Sequence, residues 1–127
     1  KMKIICTICS RRKQEDVGLL PAEERYTGEH IFVVKKIAKE FGLPFYILSG
    51  KYGLIPGSKQ IPYYDYYLED NAIDDLVKKV INQIQTEKIT EMEFYFENKA
   101  SWFPYRSVIE KAAKRAGIVL NNHELLQ

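Results

Sequence analysis

Apolar and polar residues alternate along this chain of 127 residues in blocks that predict strands and helices in turn. Residues 3–9 form a continuously apolar, β-branched run, as expected of a strand buried on both faces of a parallel sheet. Residues 45–48 predict a second buried strand. Residues 91–97 alternate instead, which predicts a strand with one wetter face. A short last strand is predicted at residues 118–120.

Three segments repeat apolar residues at every third or fourth position, which predicts amphipathic helices. These segments are residues 28–41, 72–84 and 104–116. Gly42 and Gly117 are natural stops for the first and third helices, because glycine readily adopts the left-handed conformation of a helix end. We expect Asn71 to cap the second helix at its amino end.

The order of these elements predicts the fold class. Strands that alternate with helices imply right-handed crossovers and a mostly parallel sheet. We therefore expect a three-layer α/β/α arrangement around about four strands. The length suits one domain over residues 1–127, because a chain of this size can bury a real core.

The composition is that of an ordinary globular protein and excludes a helical membrane protein. No apolar run approaches the roughly 20 residues that a bilayer-spanning helix needs, and residues 4–8 are too short for the apolar part of a signal peptide. Cys6 and Cys9 face opposite sides of an extended strand, roughly 10 Å apart, so we expect no disulfide between them. We predict a cytoplasmic protein without a membrane partner.

Positive charge is concentrated in the first half of the chain. Residues 1–60 contain 11 Lys and Arg against 6 Asp and Glu, whereas residues 61–127 contain 8 against 11. Arg11, Arg12 and Lys13 lie together directly after the first strand. They form either a solvated loop or the edge of a pocket that meets phosphate or a nucleic-acid backbone.

The loops after the first two strands contain the candidate chemistry. Ligands of α/β proteins bind at the carboxyl ends of parallel strands, and these two loops lie at the same edge of the predicted sheet. Together they offer a thiol, hydroxyls, ammonium groups and glycines that permit a close ligand approach. Their residues are Cys9, Ser10, Arg11, Arg12 and Lys13 in the first loop and Ser49, Gly50, Lys51, Tyr52 and Gly53 in the second.

Three further residues can come near these loops. Tyr26 lies just before the first helix, and Tyr64 and Asp65 lie in a tyrosine-rich segment. The tyrosines either cover the sheet edge with their rings or stack on a base. Asp65 either caps a turn or orients a water or a ring N–H. Two ammonium groups at adjacent strand ends, Lys13 and Lys51, favour an anion-binding or nucleophilic role.

No motif in the chain points to a cofactor. His30 and His123 have no partner at metal-ligand spacing, and neither a phosphate-binding Walker loop nor a GxGxxG motif is present. We expect neither a metal nor a cofactor and interpret both histidines as packing residues.

Five short motifs lie within about residues 4–68. They are Cys9-Ser10-Arg11-Arg12-Lys13, Leu20-Pro21-Ala22, Tyr26-Thr27-Gly28, Leu48-Ser49-Gly50-Lys51-Tyr52-Gly53-Leu54 and Tyr64-Asp65-Tyr66-Tyr67-Leu68. Their combination resembles a small family related to the peroxide-stress protein YaaA and, more remotely, to the glycosylase-like domain of archaeosine synthase. The resemblance implies a fold similar to the uracil-DNA glycosylase superfamily, and a site that handles a nucleobase or nucleic acid.

Two hypotheses from different classes follow. The first is an enzyme that modifies a nucleobase or nucleotide or acts as a glycosylase, with Lys51, Asp65 and Ser49 as catalytic residues. Lys51 is then the nucleophile or stabilises charge, and Asp65 is the base or orients the reacting group. The other residues named in the two loops, with Tyr26 and Tyr64, bind the substrate. The alternative is a non-catalytic module that binds DNA, RNA or another protein through the same residues.

Overall fold

The computed structural model describes residues 2–126. In chain order its strands are β1 (Met2–Ile8), β2 (Leu20–Pro21), β3 (Phe45–Ser49), β4 (Gly53–Pro56), β5 (Gln60–Ile61), β6 (Ile89–Phe96) and β7 (Val119–Glu124). Its α-helices are α1 (Ala22–Arg25), α2 (Glu29–Phe41), α3 (Ile73–Thr86) and α4 (Phe103–Ala116). Single 3₁₀ turns at Asp70–Ala72 and Ala100–Trp102 precede α3 and α4.

The main sheet has the strand order β4-β3-β1-β6-β7. β1 lies at its centre and pairs in parallel with β3 and β6, and β7 continues the parallel arrangement beside β6. The mostly parallel α/β sheet predicted from the alternation of elements is confirmed. The predicted number of about four strands is too low, because β4 folds back antiparallel on β3 within the segment predicted as a loop. The last strand also extends beyond its predicted end, to Glu124.

Helices cover both faces of this sheet. On one face Ile4 of β1 and Phe94 of β6 belong to a core that includes residues of α3 and α4. On the other face Ile5 of β1 packs with Val34 and Ala38 of α2. Burial on both faces explains the continuously apolar sequence of β1, and each large side chain fully buried there contributes about 1.5–3 kcal/mol.

The glycine stops are confirmed, but the predicted cap of α3 is wrong. Gly42 and Gly117 end α2 and α4 in the left-handed conformation, with φ of 66° and 71°. Asn71 instead lies inside the 3₁₀ turn that runs directly into α3, and Ala72 occupies the N-cap position without a side-chain hydrogen bond. The backbone at this point is already helical, so no extended residue is available to cap it.

Two connections bring the site together at the edge of the sheet. One runs from β1 to α2 and includes α1, and the other runs from β4 to α3. A two-stranded ladder between β2 and β5 joins them, with Leu20 opposite Ile61. Lys13 forms an isolated bridge with Tyr26, which holds the first connection close to α1. No helix among residues 2–126 is both long enough and apolar enough to cross a bilayer.

Candidate functional site

A cavity of about 550 Å³ lies at the carboxyl ends of β1, β3 and β6. These strands are parallel, so the residues that follow them meet at one edge of the sheet. Open α/β sheets bind their ligands at this edge. The volume is within the range of about 300–1,000 Å³ that is usual for small-molecule sites.

Seven of the residues predicted from the sequence line this cavity: Cys9, Ser10, Arg11, Lys13, Gly50, Tyr64 and Asp65. They come from the connection after β1, from the residue after β3 and from the tyrosine-rich segment. The first predicted loop and the beginning of the second therefore lie around one space.

The other predicted residues lie outside the cavity lining. Tyr26 and Ser49 are fully buried. Arg12 lines a neighbouring cavity of about 540 Å³. Lys51 is exposed, and Gly53 lies in the β3–β4 hairpin against the side chain of α3 residue Gln83.

A chain of three hydroxyl groups supports the position of Tyr64. The hydroxyls of Tyr26 and Tyr64 are 2.5 Å apart, and Ser49 Oγ is 3.1 Å from the Tyr64 hydroxyl. Ser49 Oγ also accepts hydrogen bonds from the backbone N–H groups of Lys51 and Tyr52, at 3.2 and 3.0 Å. Ser49 therefore orients Tyr64 and closes the turn after β3.

Tyrosine is protonated at neutral pH, and burial extends to higher pH the range over which these two phenols keep their proton. It raises the pKa of Tyr64 to about 12, and the nearby Cys9 acts in the same direction. Burial also raises the pKa of Tyr26 far above its ordinary value. Both groups therefore act as neutral hydrogen-bonding groups and not as bases.

Two ammonium groups face the ring of Tyr64. Lys13 Nζ is 4.7 Å and Lys51 Nζ is 5.3 Å from the ring centroid, which is within the range of a cation–π contact. Lys13 is half-buried, and its Nζ donates a hydrogen bond of 3.2 Å to the carbonyl of Arg11. Burial lowers the pKa of Lys13, so its neutral amine is populated at a lower pH than in a solvated lysine.

The thiol of Cys9 lies at the inner end of the cavity. Burial raises its pKa, and this effect is opposed by the backbone N–H of Gly50 and the hydroxyl of Tyr105. The Tyr105 hydroxyl lies only 3.2 Å from the position that a Cβ at residue 50 would take. Glycine at this position allows Tyr105 to approach, because any side chain would crowd it.

Sequence reasoning missed the wall that follows β6. This wall consists of Ser101, Trp102, Pro104 and Tyr105. Trp102 packs edge-on against His30, with ring centroids 4.8 Å apart, and His30 Nε2 is 2.8 Å from the carbonyl oxygen of Ile8. The available signal was a lone tryptophan after a third parallel strand, whose end lies at the same edge as those of β1 and β3.

The outer part of the cavity combines charge with exposed aromatic rings. Asp65 is exposed and is the one carboxylate among the described residues that line the cavity. Tyr66 and Tyr67 beside it are 40% and 57% exposed. The guanidinium of Arg11 lies 4.9 Å from the centroid of the Tyr67 ring. The lining therefore brings aromatic rings, cations and one carboxylate around the same space.

A protein-family model matches nearly the whole length of the chain. No curated protein and no solved structure matches the chain. The model of a family of unknown function, DUF6884, matches residues 4–125. That range contains the whole cavity lining, so the site is part of the region that the family model describes. The chain therefore belongs to this family of unknown function.

Proposed function

We propose that this protein is an enzyme that binds a nucleobase or nucleotide in the cavity and modifies the base or cleaves its glycosidic bond. The observation that supports this most strongly is the combination of aromatic walls and cations in one cavity of suitable volume. Tyr64, Trp102 and Tyr105 provide flat apolar surfaces, and Arg11 and Lys13 provide positive charge. Stacking on such rings recognises bases, and guanidinium and ammonium groups recognise phosphate.

Lys13 takes the role that the sequence suggested for Lys51. Both ammonium groups face Tyr64, but Lys13 is the one that lines the cavity. Its half-buried amine with a lowered pKa is suited to act as a nucleophile or to stabilise developing negative charge. Asp65 acts as the base or orients the reacting group, and Ser49 contributes by fixing Tyr64.

We also propose that the family is related to the YaaA group within the uracil-DNA glycosylase-like superfamily, and that the protein functions in the reducing cytoplasm. The support for the relationship is that three of the motifs in the resemblance, at residues 9–13, 48–54 and 64–68, contribute residues to the lining of one cavity. The support for the compartment is that Cys6 and Cys9 are free, buried thiols.

A ligand screen tests the proposed function directly. Nucleobases, nucleosides and nucleoside monophosphates are added to the protein, and the melting temperature and the fluorescence of Trp102 are recorded. A ligand at 100 times its Kd should stabilise the fold by about 2.7 kcal/mol, and stacking beside Trp102 should change its emission. The proposal fails if no compound in the panel changes either signal.

Two variants then test the proposed catalytic roles of Asp65 and Lys13. With a ligand from this panel as substrate, Asp65→Asn and Lys13→Met should reduce product formation at least 100-fold, because acid–base groups typically contribute about 10²–10⁴-fold. Lys51→Met is the matched control, because Lys51 contacts the same Tyr64 ring from outside the cavity. Equal losses in Lys13→Met and Lys51→Met would contradict the role of Lys13.

One observation favours the second candidate, a non-catalytic nucleic-acid-binding module. Tyr66 and Tyr67 are exposed beside Arg11 at the outer part of the cavity, and exposed aromatic rings next to cations bind single strands. Such a module should bind oligonucleotides with a steep dependence on salt, and it should yield no product. Asp65→Asn should then leave its affinity unchanged or increase it.

A further inference from the structure

Arg25, the last residue of α1, is fully buried. Its guanidinium donates four hydrogen bonds, and all four acceptors are backbone carbonyl oxygens. Nη1 bonds to Gln14 at 2.7 Å and Asp16 at 3.0 Å, and Nη2 bonds to Gly18 at 2.6 Å and Ile61 at 3.2 Å. One side chain thus joins the connection after β1 to β5, from which the tyrosine-rich segment continues.

These acceptors adjoin the residues of the cavity. Gln14 directly follows Lys13, and its backbone N–H in turn donates a 2.8 Å hydrogen bond to the carbonyl of Arg25. Ile61 lies three residues before Tyr64. Lys13 and Tyr64 therefore extend from the two segments that Arg25 joins, and they meet where Lys13 Nζ faces the Tyr64 ring at 4.7 Å.

The guanidinium of Arg25 is better suited to positioning the segments that it joins than to stabilising the fold alone. A buried charge is costly, and replacing it by apolar groups often leaves stability unchanged or increased. In addition, Arg25 Nε is buried without a hydrogen-bond partner among residues 2–126. A rigid planar fork nevertheless sets the directions of several acceptors at once, which a lysine ammonium on its flexible stem does not.

We propose that Arg25 is a positioning residue that holds the Lys13 and Tyr64 sides of the cavity in register. Its value for catalysis rests on the proposed function, but the positioning itself can be measured without any ligand. In Arg25→Met the four carbonyl groups lose their common donor. The connection after β1 then relaxes, and the Lys13 amine becomes solvated.

The test measures the pKa of Lys13 by NMR, from the pH dependence of its ¹³Cε shift in protein with ¹³C-labelled lysine. In the wild type this pKa should lie below the ordinary value of 10.5, because the amine is half-buried. Arg25→Met should return it to that value. Arg25→Lys, which keeps the charge but lacks the fork, should move it part of the way. Arg115→Met, at an exposed arginine of α4, is the control and should leave it unchanged.

If Arg25 contributes only to the stability of the fold, a different result is expected. Arg25→Met would then lower the melting temperature while the pKa of Lys13 stayed at its wild-type value, and this outcome overturns the proposal. If neither Arg25 variant folds, hydrogen exchange of the wild type still decides. The four Nη hydrogens of Arg25 should exchange slowly, because each has a carbonyl acceptor and the side chain is fully buried. Rapid exchange would show that the guanidinium does not hold this connection.

The nucleotide panel separates this inference from the proposed function. If the wild type binds a member of the panel, Arg25→Met should bind it at least tenfold more weakly. If the wild type binds none, yet the pKa of Lys13 responds to Arg25→Met, the proposed function fails and the positioning stands. If binding occurs but Arg25→Met changes neither the pKa nor the affinity, the positioning fails and the proposed function stands.

Discussion

Tyr64 connects more of the site than any other single side chain described above. Its hydroxyl hydrogen-bonds with those of Tyr26 and Ser49, and its ring faces the ammonium groups of Lys13 and Lys51. The hydroxyl is buried, so its removal leaves two polar partners short of a hydrogen bond. Its effects should appear both in stability and in the dependence of stability on pH.

We expect Tyr64→Phe to lower the free energy of unfolding at pH 7 by about 1–3 kcal/mol, because the buried hydroxyls of Tyr26 and Ser49 each lose a partner. Burial raises the pKa of Tyr64 from 10.0 to about 12, so the folded state holds this proton more tightly than the unfolded state. Stability from this group is complete below pH 10 and is lost as the pH rises towards 12. Urea denaturation at a series of pH values should show that Tyr64→Phe loses less of its free energy of unfolding than the wild type does as the pH rises from 10 to 12.

Tyr63→Phe is the matched control for this prediction. Tyr63 lies on the same segment and is 47% exposed, so its replacement should change neither the stability at pH 7 nor the slope above pH 10. If wild type and Tyr64→Phe lose stability equally between pH 10 and 12, the Tyr64 hydroxyl is not held in the way described.

A residue of the candidate site could be predicted from the sequence where its charge is unusual for its position. Lys13 and Asp65 were singled out because a charged residue just after a strand, or within a tyrosine-rich segment, is not explained by core packing. Arg25 was not, because a lone arginine beside acidic residues looks like a solvated helix side chain. Tyr105 was also missed, because it lies within a helical repeat that accounts for an aromatic residue by packing alone.

At the next scale, the β3–β4 hairpin illustrates how one helix can fix a turn. Gly53 has a φ of 79°. Gln83 of α3 lies directly against it, accepts a 2.7 Å hydrogen bond from the Leu54 N–H, and donates one of 3.0 Å to the carbonyl of Tyr52. The hairpin is therefore held against α3 by both hydrogen bonds of the Gln83 amide.

Gly53→Ala should destabilise the protein more than Gly117→Ala does. Both glycines are left-handed, with φ of 79° and 71°, and this conformation costs an alanine about 1–2 kcal/mol. Only at Gly53 would the new Cβ also collide with a side chain, that of Gln83, whereas the space around Gly117 is open. We expect an additional loss of about 1 kcal/mol or more, because Gln83 must move aside and give up its two backbone hydrogen bonds, each worth about 0.5–1.5 kcal/mol.

Thermal or urea unfolding of the two variants measures this difference. Equal losses would mean that Gln83 moves aside without cost and does not lock the hairpin. Cavity binding offers a further check, because Gly53 does not line the cavity. A ligand that binds the wild type should bind folded Gly53→Ala with similar affinity.

At the scale of the whole molecule, the cavity wall that follows β6 is continuous with the hydrophobic core. Trp102, the single tryptophan of the chain, lines the cavity and also belongs to the core that β1, α3 and α4 share. We therefore expect unfolding followed by tryptophan fluorescence and by far-UV circular dichroism to give coincident transitions. A fluorescence transition at lower denaturant would show that the wall after β6 opens before the sheet does.

The sequence by itself determined the class of fold and the edge of the sheet at which the cavity lies. Its apolar periodicity follows from burial of one helix face or of whole strands, and this local rule identified the central parallel strand and helices α2, α3 and α4. It also identified the connection after β1 and the tyrosine-rich segment as chemistry-bearing. Each of these conclusions depends on residues that are close along the chain.

Only the tertiary structure decided which of these residues face the same space. It placed Lys13 in the cavity and Lys51 outside it, it buried Ser49 beneath Tyr64, and it added the wall around Trp102. The physical reason is that such contacts join residues far apart along the chain, whose distances depend on strand order and on the packing of connections. No local pattern of hydrophobicity encodes those distances. The four carbonyl groups that accept hydrogen bonds from Arg25 could not be predicted for the same reason.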